Sequence, residues 1–425
     1  MARLRNLIHT QYRCSVTEER VDWYVAAGRL PIEGLPQIIW TNGEAWREVN
    51  LWALQRSTEN GLSLDTVRSN MSSMLSYANW LEVTRTKWWE FPQRKADRCL
   101  FRYRGYLIAM RDEGQLAPST ASQRMRDVIN FYRWLLASEL LLSEWPLWTD
   151  QTISIRVPNS VGLERTIIVQ SSELSIKNRK ANALRLEGGL LPVSADDRDI
   201  ILEYAAEHAS WELYLLLTLG FYTGMRLGTL CDLKVSSLER AFIDPDQSGL
   251  YKIAVGPGAS PSVATKFGVT GHVWIVKEHL NLIRSYVISP RRQARVQAAD
   301  DKNKELVFLT RFGNKYTKLK KERSSAINVE MHSLRKKAIS AGLVVFEGFY
   351  FHQTRCTFAT QLARILLPIS GAVNAIAIIK EALLHKNEAT SLQYIKFVEQ
   401  SAAKAASANE FTRKFLGLGD KCKNG

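Results

Sequence analysis

The chain has 425 residues, 46% hydrophobic and 23% charged, with a formal net charge of +15. That length accommodates two or more domains with separate cores, and the composition is that of an ordinary soluble protein, not a disordered or membrane one. The charge is uneven: residues 1–150 hold 19 Lys+Arg against 17 Asp+Glu, whereas residues 251–425 hold 28 against 12. A basic C-terminal half suits a phosphate-backbone partner, because each neutralised phosphate releases condensed counterions.

Residues 1–45 contain Pro31, Gly34 and Pro36 and are predicted to be an irregular or short-helical N-terminal extension. From about 60 to 141 the pattern is helical. Met71, Met74, Leu75, Ala78 and Leu81 share one face, and Val128, Phe131, Tyr132, Leu135 and Leu136 repeat the spacing. Pro118-Ser119-Thr120 supplies a hydroxyl to cap the second of these, and Pro92 at a first turn opens another helix to about Arg111. Residues 46–145 therefore form a helical domain, in which Trp80, Trp88, Trp89 and Trp134 are assigned to interhelical packing. Residues 146–193 are a linker with some extended structure, since Ile153, Ile155 and Val157 alternate, Thr166 and Val169 less cleanly, and Gly188-Gly189 precedes Leu190-Leu191-Pro192. Residues 194–425 form the last domain, with helices at 195–208 and 211–222. A hairpin follows, in which Tyr251, Ile253 and Val255, then Val273 and Ile275, flank a Gly/Pro/Ser-rich loop. The remainder is helical, interrupted near 305–317.

The five cysteines, Cys14, Cys99, Cys231, Cys356 and Cys422, lack CxxC spacing. A disulfide framework or zinc site is not expected, and a reducing cytoplasm is. No apolar run approaches the ~20 residues that span a bilayer, so no membrane association is expected. Met1-Ala2-Arg3-Leu4-Arg5 is basic without the apolar stretch of a secretion signal.

The chemistry concentrates in Thr223-Gly224-Met225-Arg226, His352-Gln353-Thr354-Arg355, and His385 nine residues before Tyr394. Guanidinium forks match the non-bridging oxygens of a phosphoryl group, and a tyrosine hydroxyl can attack phosphorus to form a covalent intermediate. In this order the motifs resemble the tyrosine recombinases, the phage-integrase family of site-specific DNA recombinases. The resemblance implies a mainly α fold: a helical core-binding (SAM-like) domain plus a mostly helical catalytic domain with a small antiparallel β-hairpin or sheet. It implies that Arg226 and Arg355 stabilise the phosphate, His352 and His385 handle protons and hydrogen bonds, Lys266 protonates the leaving oxygen, and Tyr394 is the nucleophile. Lys266 is preferred over Lys252, inside a strand, and Lys277, at a helix start.

Some positions depart from the family pattern or compete within it. Thr229 stands where a glutamate often supports the first arginine. Leu384 replaces the glycine of Leu-Gly-His, which predicts a backbone without positive φ there. His332-Ser333-Leu334-Arg335 competes with His352 and Arg355, but only Arg355 continues as Cys356-Thr357-Phe358-Ala359-Thr360-Gln361-Leu362 into a buried helix. The first pair is left as a DNA-backbone contact. Tyr394 is expected to face the cleft while Ile395-Lys396-Phe397 supplies the packing. The resemblance further implies double-stranded recombination sites as partners and a homo-tetramer on synapsed DNA, in which Ala402–Phe415 docks on a neighbour. It also implies an accessory directionality factor and no ATP, metal or other cofactor. The alternatives are a tyrosine topoisomerase or telomere resolvase, and a DNA-binding protein on an inactive recombinase scaffold.

Overall fold

The computed structural model describes residues 1–17, 20–58, 62–158, 164–178, 186–245, 249–317 and 324–415. The chain divides into two units, Met1–Ala183 and Leu184–Gly425. The division falls within the span predicted as linker.

The first unit opens with strands, which corrects the irregular or short-helical expectation for residues 1–45. These are β1 (Arg3–His9), β2 (Tyr12–Val16), β3 (Val21–Val25) and β4 (Ile32–Ile39). β1 pairs antiparallel with β4, Arg3 opposite Ile39, and β2 pairs with β3. The pairing joins residues some 30 positions apart, so no local periodicity announces it. Leu35 and Ile38 of β4 are buried, and the Asn50 side chain accepts from the Ile38 amide (2.7 Å) and donates to its carbonyl (3.0 Å).

Asn50 belongs to α1 (Arg47–Thr58), which precedes the predicted helical start. α2 (Leu64–Thr84), α3 (Cys99–Asp112) and α4 (Pro118–Ala137) complete the bundle. Two local predictions fail here. Pro92 does not open α3, because the Arg98 guanidinium donates to the carbonyls of Pro92, Gln93 and Pro146 and holds the preceding residues in a loop. α4 is started by Pro118 after Ala117, with no side-chain cap bond. Met71, Met74, Ala78, Leu81, Val128, Phe131, Tyr132 and Leu135 are all buried in one core. Trp80 is buried, Trp88 and Trp134 pack partly buried against this core, and Trp89 is exposed, which corrects its assignment to packing. A hairpin of β5 (Asp150–Pro158) and β6 (Glu164–Ser172) follows, Ile155 opposite Ile167.

The second unit runs α5 (Ala195–His208), α6 (Trp211–Thr223), α7 (Leu227–Cys231) and α8 (Val235–Glu239). An antiparallel sheet in the order β7 (Phe242–Ile243), β8 (Leu250–Val255), β9 (Gly271–Val276) comes next. Then come α9 (Lys277–Ile288), α10 (Pro290–Gln297), α11 (Ser325–Ser340), α12 (His352–Leu383) and α13 (Glu388–Phe415). Ile253, Val255, Val273 and Ile275 bury one face of the sheet, the set that the alternation predicts, in the same core as the α6 leucines. Glu212 at the start of α6 is fully buried. It accepts from Arg291 and Arg295 of α10 (each 2.9 Å) and from the Tyr286 hydroxyl of α9 (3.0 Å), tying three helices together.

Among the described residues α12 alone is long and apolar enough to cross a membrane by length and composition, which by itself does not indicate a membrane protein. The helix carries Pro368 and breaks at Gly371 (φ 71°, ψ 170°), and it holds the buried Arg355 near its start.

Candidate active site

Arg226 is delivered by a helix end. α6 terminates at Gly224, whose left-handed backbone (φ 65°, ψ 9°) turns the chain so that Arg226 sits at the entry to α7. A Cβ at Gly224 would lie 2.5 Å from Phe358 Cδ1 and 2.6 Å from Leu383 Cδ2, so both conformation and space require glycine. Close approach of α6 and α12 depends on Gly220, where a Cβ would meet Thr354 Oγ1 at 2.5 Å. This crossing places Arg355 beside the Gly224 turn. Arg355 is buried and donates to the Gly224 carbonyl (2.7 Å) and the Leu383 carbonyl (2.9 Å), which fixes the plane of its fork.

His385 is placed by the far end of α12. The Leu384 amide donates to Glu381 and the His385 amide to Lys380 (2.9 Å), the paired bonds of a Schellman cap. Leu384 takes the left-handed position of that cap (φ 52°, ψ 49°), which overturns the prediction drawn from the missing glycine. The cap geometry is kept, and a leucine bears its strain, roughly 1–2 kcal/mol.

Lys266 lies in a short turn, Lys266–Gly268, on the loop joining β8 to β9. Asp232, directly after α7, accepts from the Ala264 amide of that loop (2.7 Å) and so ties it to the helix that follows Arg226. Lys266, Arg226, Thr229 and Arg355 line one narrow cavity of about 20 Å³. Lys252 pairs with Asp244 at 3.0 Å within the sheet.

Arg226, His352, Arg355 and His385 gather around a residue that no motif singled out. Glu187 Oε1 lies 3.0 Å from Arg226 and 3.6 Å from His385 Nε2. Its Oε2 lies 3.0 Å from Arg355 Nε and 3.5 Å from His352 Nε2. Burial pushes the Glu187 carboxyl up, but the His352 hydrogen bond and the Arg355 and Arg226 charges outweigh it and hold the group far below the usual carboxylate range. His385 is moved to about 3 by burial and the two arginine charges, so it is neutral near pH 7. Its Nδ1 bonds Ser391 Oγ at 2.9 Å, leaving Nε2 toward the cleft. Glu187 sits in a Glu-Gly-Gly turn that carries no recognisable signal and falls within the span read as linker.

Tyr394, on α13, stacks on His385 with ring centroids 6.0 Å apart and planes 9° from parallel. Contrary to expectation it does not face the cleft. It is fully buried among Leu186, Cys356, Ala359 and Ile379, and its hydroxyl has no hydrogen-bond partner of normal geometry among the described residues. Burial, the Cys356 thiol and Glu187 all raise its pKa far above the ordinary phenol value. The competing pair lies elsewhere: His332 is exposed on α11, and Arg335 covers the Tyr350 ring at 4.9 Å.

Two guanidinium groups and two imidazoles converge on one two-oxygen anion, an arrangement able to hold a phosphoryl group, with a tyrosine against one imidazole. No curated protein matches the chain. Among solved structures, XerH site-specific recombinase bound to a palindromic difH substrate is 15% identical, with a TM-score of 0.51 and 85% of each chain covered. The Tn1549 transposon integrase in complex with circular intermediate DNA is 13% identical (TM-score 0.49, 82% of this chain and 94% of that one). A lambda integrase dimer bound to a COC′ core site is 14% identical (TM-score 0.46, 82% and 94%). At such identities the XerH likeness speaks for the fold. The phage integrase family profile matches residues 193–400, which contain every candidate residue except Glu187. Residues 193–400 are thus a domain of the phage integrase family, the tyrosine recombinases.

Proposed function

We propose that this recombinase cleaves and rejoins double-stranded DNA at specific sites through a 3′-phosphotyrosyl intermediate, to integrate or excise a mobile element. The observation that carries the assignment of residues is the convergence of Arg226, His352, Arg355 and His385 on one carboxylate, with Tyr394 stacked on His385. With a phosphodiester there instead, the arginines neutralise the charge that builds on the non-bridging oxygens, and His352 and His385 donate to the same oxygens. Tyr394 Oη gives its proton to water and bonds to phosphorus while the P–O5′ bond breaks. Lys266, on the same cavity, gives a proton to the departing 5′-oxygen. Attack by a 5′-hydroxyl of another strand reverses the steps. One phosphate ester replaces another, so no nucleotide hydrolysis is needed. Tyr394 must leave its enclosed position before attack, a change that DNA binding would supply.

The basic residues 251–425 supply phosphate contacts, and His332 and Arg335 on the exposed face of α11 are among them. By analogy with the family, the reaction runs in a homo-tetramer on synapsed DNA in the cytoplasm, with α13 from Ala402 onward passing to a neighbour and an accessory factor setting direction.

Tyr394→Phe tests the assignment. The change removes one oxygen and keeps the ring that packs against His385. Wild-type protein incubated with a pool of nicked duplexes of randomised sequence should leave a covalent adduct on a denaturing gel, and the variant none. An adduct that persists in Tyr394→Phe would place the nucleophile elsewhere.

A further inference from the structure

Glu187 occupies the point in the cleft where an anion is held best. Each of its carboxylate oxygens meets one guanidinium and one imidazole, as two non-bridging phosphate oxygens would. A cavity of about 20 Å³ lined by Arg226, Lys266 and Arg355 has room for roughly one water molecule and not for a phosphodiester.

The segment that carries Glu187 is docked in place. Leu186 is buried in the cluster that encloses Tyr394, and Leu190 packs against the same cluster. Gln353 Nε2 donates to the Leu191 carbonyl (3.0 Å), and the Val193 amide donates to Thr357 Oγ1 (3.0 Å), so the strap lies along the first turns of α12.

We propose that residues 186–191 form an intramolecular plug, with Glu187 standing in for the scissile phosphate and Leu186 helping to enclose Tyr394, so that the site opens only when a DNA phosphate displaces the carboxylate. The proposal rests on the recombinase assignment above, since it regulates that same site. It competes with a different role, in which Glu187 stays beside the arginines and positions them in place of the glutamate that Thr229 lacks. The two differ in sign. A plug and a phosphate exclude one another, whereas a positioning acid remains when phosphate binds.

The test uses the full chain and inorganic phosphate. Calorimetry should show Glu187→Gln binding phosphate about tenfold or more tightly than wild type, the gain expected if the plug is in place nine times in ten. Hydrogen exchange read by mass spectrometry should show residues 186–193 of wild type exchanging faster when phosphate is added at high concentration. Leu186→Ala, which loosens the strap and keeps the carboxylate, should also tighten phosphate binding and thus serves if Glu187→Gln does not fold. Phosphate affinity unchanged or weaker in the folded variants, or slower exchange of 186–193 with phosphate, overturns the plug. Because no DNA cleavage is measured, failure of the recombinase assignment would appear in the Tyr394 adduct assay and leave these results as they are.

Discussion

Acidification from pH 7 to pH 5 should weaken the second unit through His385. In the fold its pKa is about 3, because burial and the charges of Arg355 and Arg226 oppose a second positive group there. In the unfolded chain it is about 6.5. A histidine whose folded pKa is depressed gives stability that is complete above the unfolded pKa and is lost as pH falls toward the folded one. Between pH 7 and pH 5 the unfolded state takes up nearly one proton that the folded state refuses, a loss of about 2 kcal/mol. Glu187 has the same sign but a lower window: its depressed carboxyl loses its contribution only as pH falls below about 4.5. Burial also lowers His279, so the total acid sensitivity does not isolate His385. The difference between wild type and His385→Asn does, since asparagine cannot titrate. Urea unfolding at both pH values, followed by pulsed hydrogen exchange of α12 and α13 peptides, should show wild type losing about 2 kcal/mol more than the variant. Equal losses in the two proteins would mean that His385 is not held neutral, and the electrostatic account of the cleft would fail with it.

Gly224→Ala should cost about 2–4 kcal/mol, from the positive φ and from crowding against Phe358 and Leu383, and should lower the melting temperature of the second unit. Glu212→Ala leaves Arg295 charged in the interior and should cost about 3–5 kcal/mol by urea unfolding. The double variant His352→Ala/Arg355→Ala should give no DNA adduct, while His332→Ala/Arg335→Ala should keep adduct formation and bind DNA more weakly in a filter assay. The reverse result would exchange the roles of the two His-x-x-Arg pairs.

Much of the second unit was legible along the chain. Helices α5 and α6, the alternation of β8 and β9, and the frames of Arg226, Arg355, His385 and Tyr394 are local patterns. A 3.6-residue or two-residue period reports burial whichever partner supplies it. The two His-x-x-Arg motifs differ in context: the residues that follow Arg355 are largely buried in α12, whereas His332 stands on the exposed side of the amphipathic α11.

Features that depend on distant partners were not legible. β1 and β4 pair across some 30 residues, and Arg98 holds Pro92 in a loop through three carbonyls that no pattern links. Leu384 was misjudged because the cap at the end of α12 fixes its backbone, and tertiary packing bears a strain that residue type alone argues against. Tyr394 was expected in the open and is enclosed, since the hydrophobic cluster with Leu186 and Cys356 assembles from three separate segments. Glu187 was invisible for the same reason. A single glutamate before two glycines has no period and no motif. Only folding brings its carboxylate within 3.6 Å of two arginines and two histidines drawn from three parts of the chain. The residue types that could handle a phosphate were determined by the sequence, and what occupies their centre was decided by the tertiary structure, because electrostatic attraction acts through space and not along the chain.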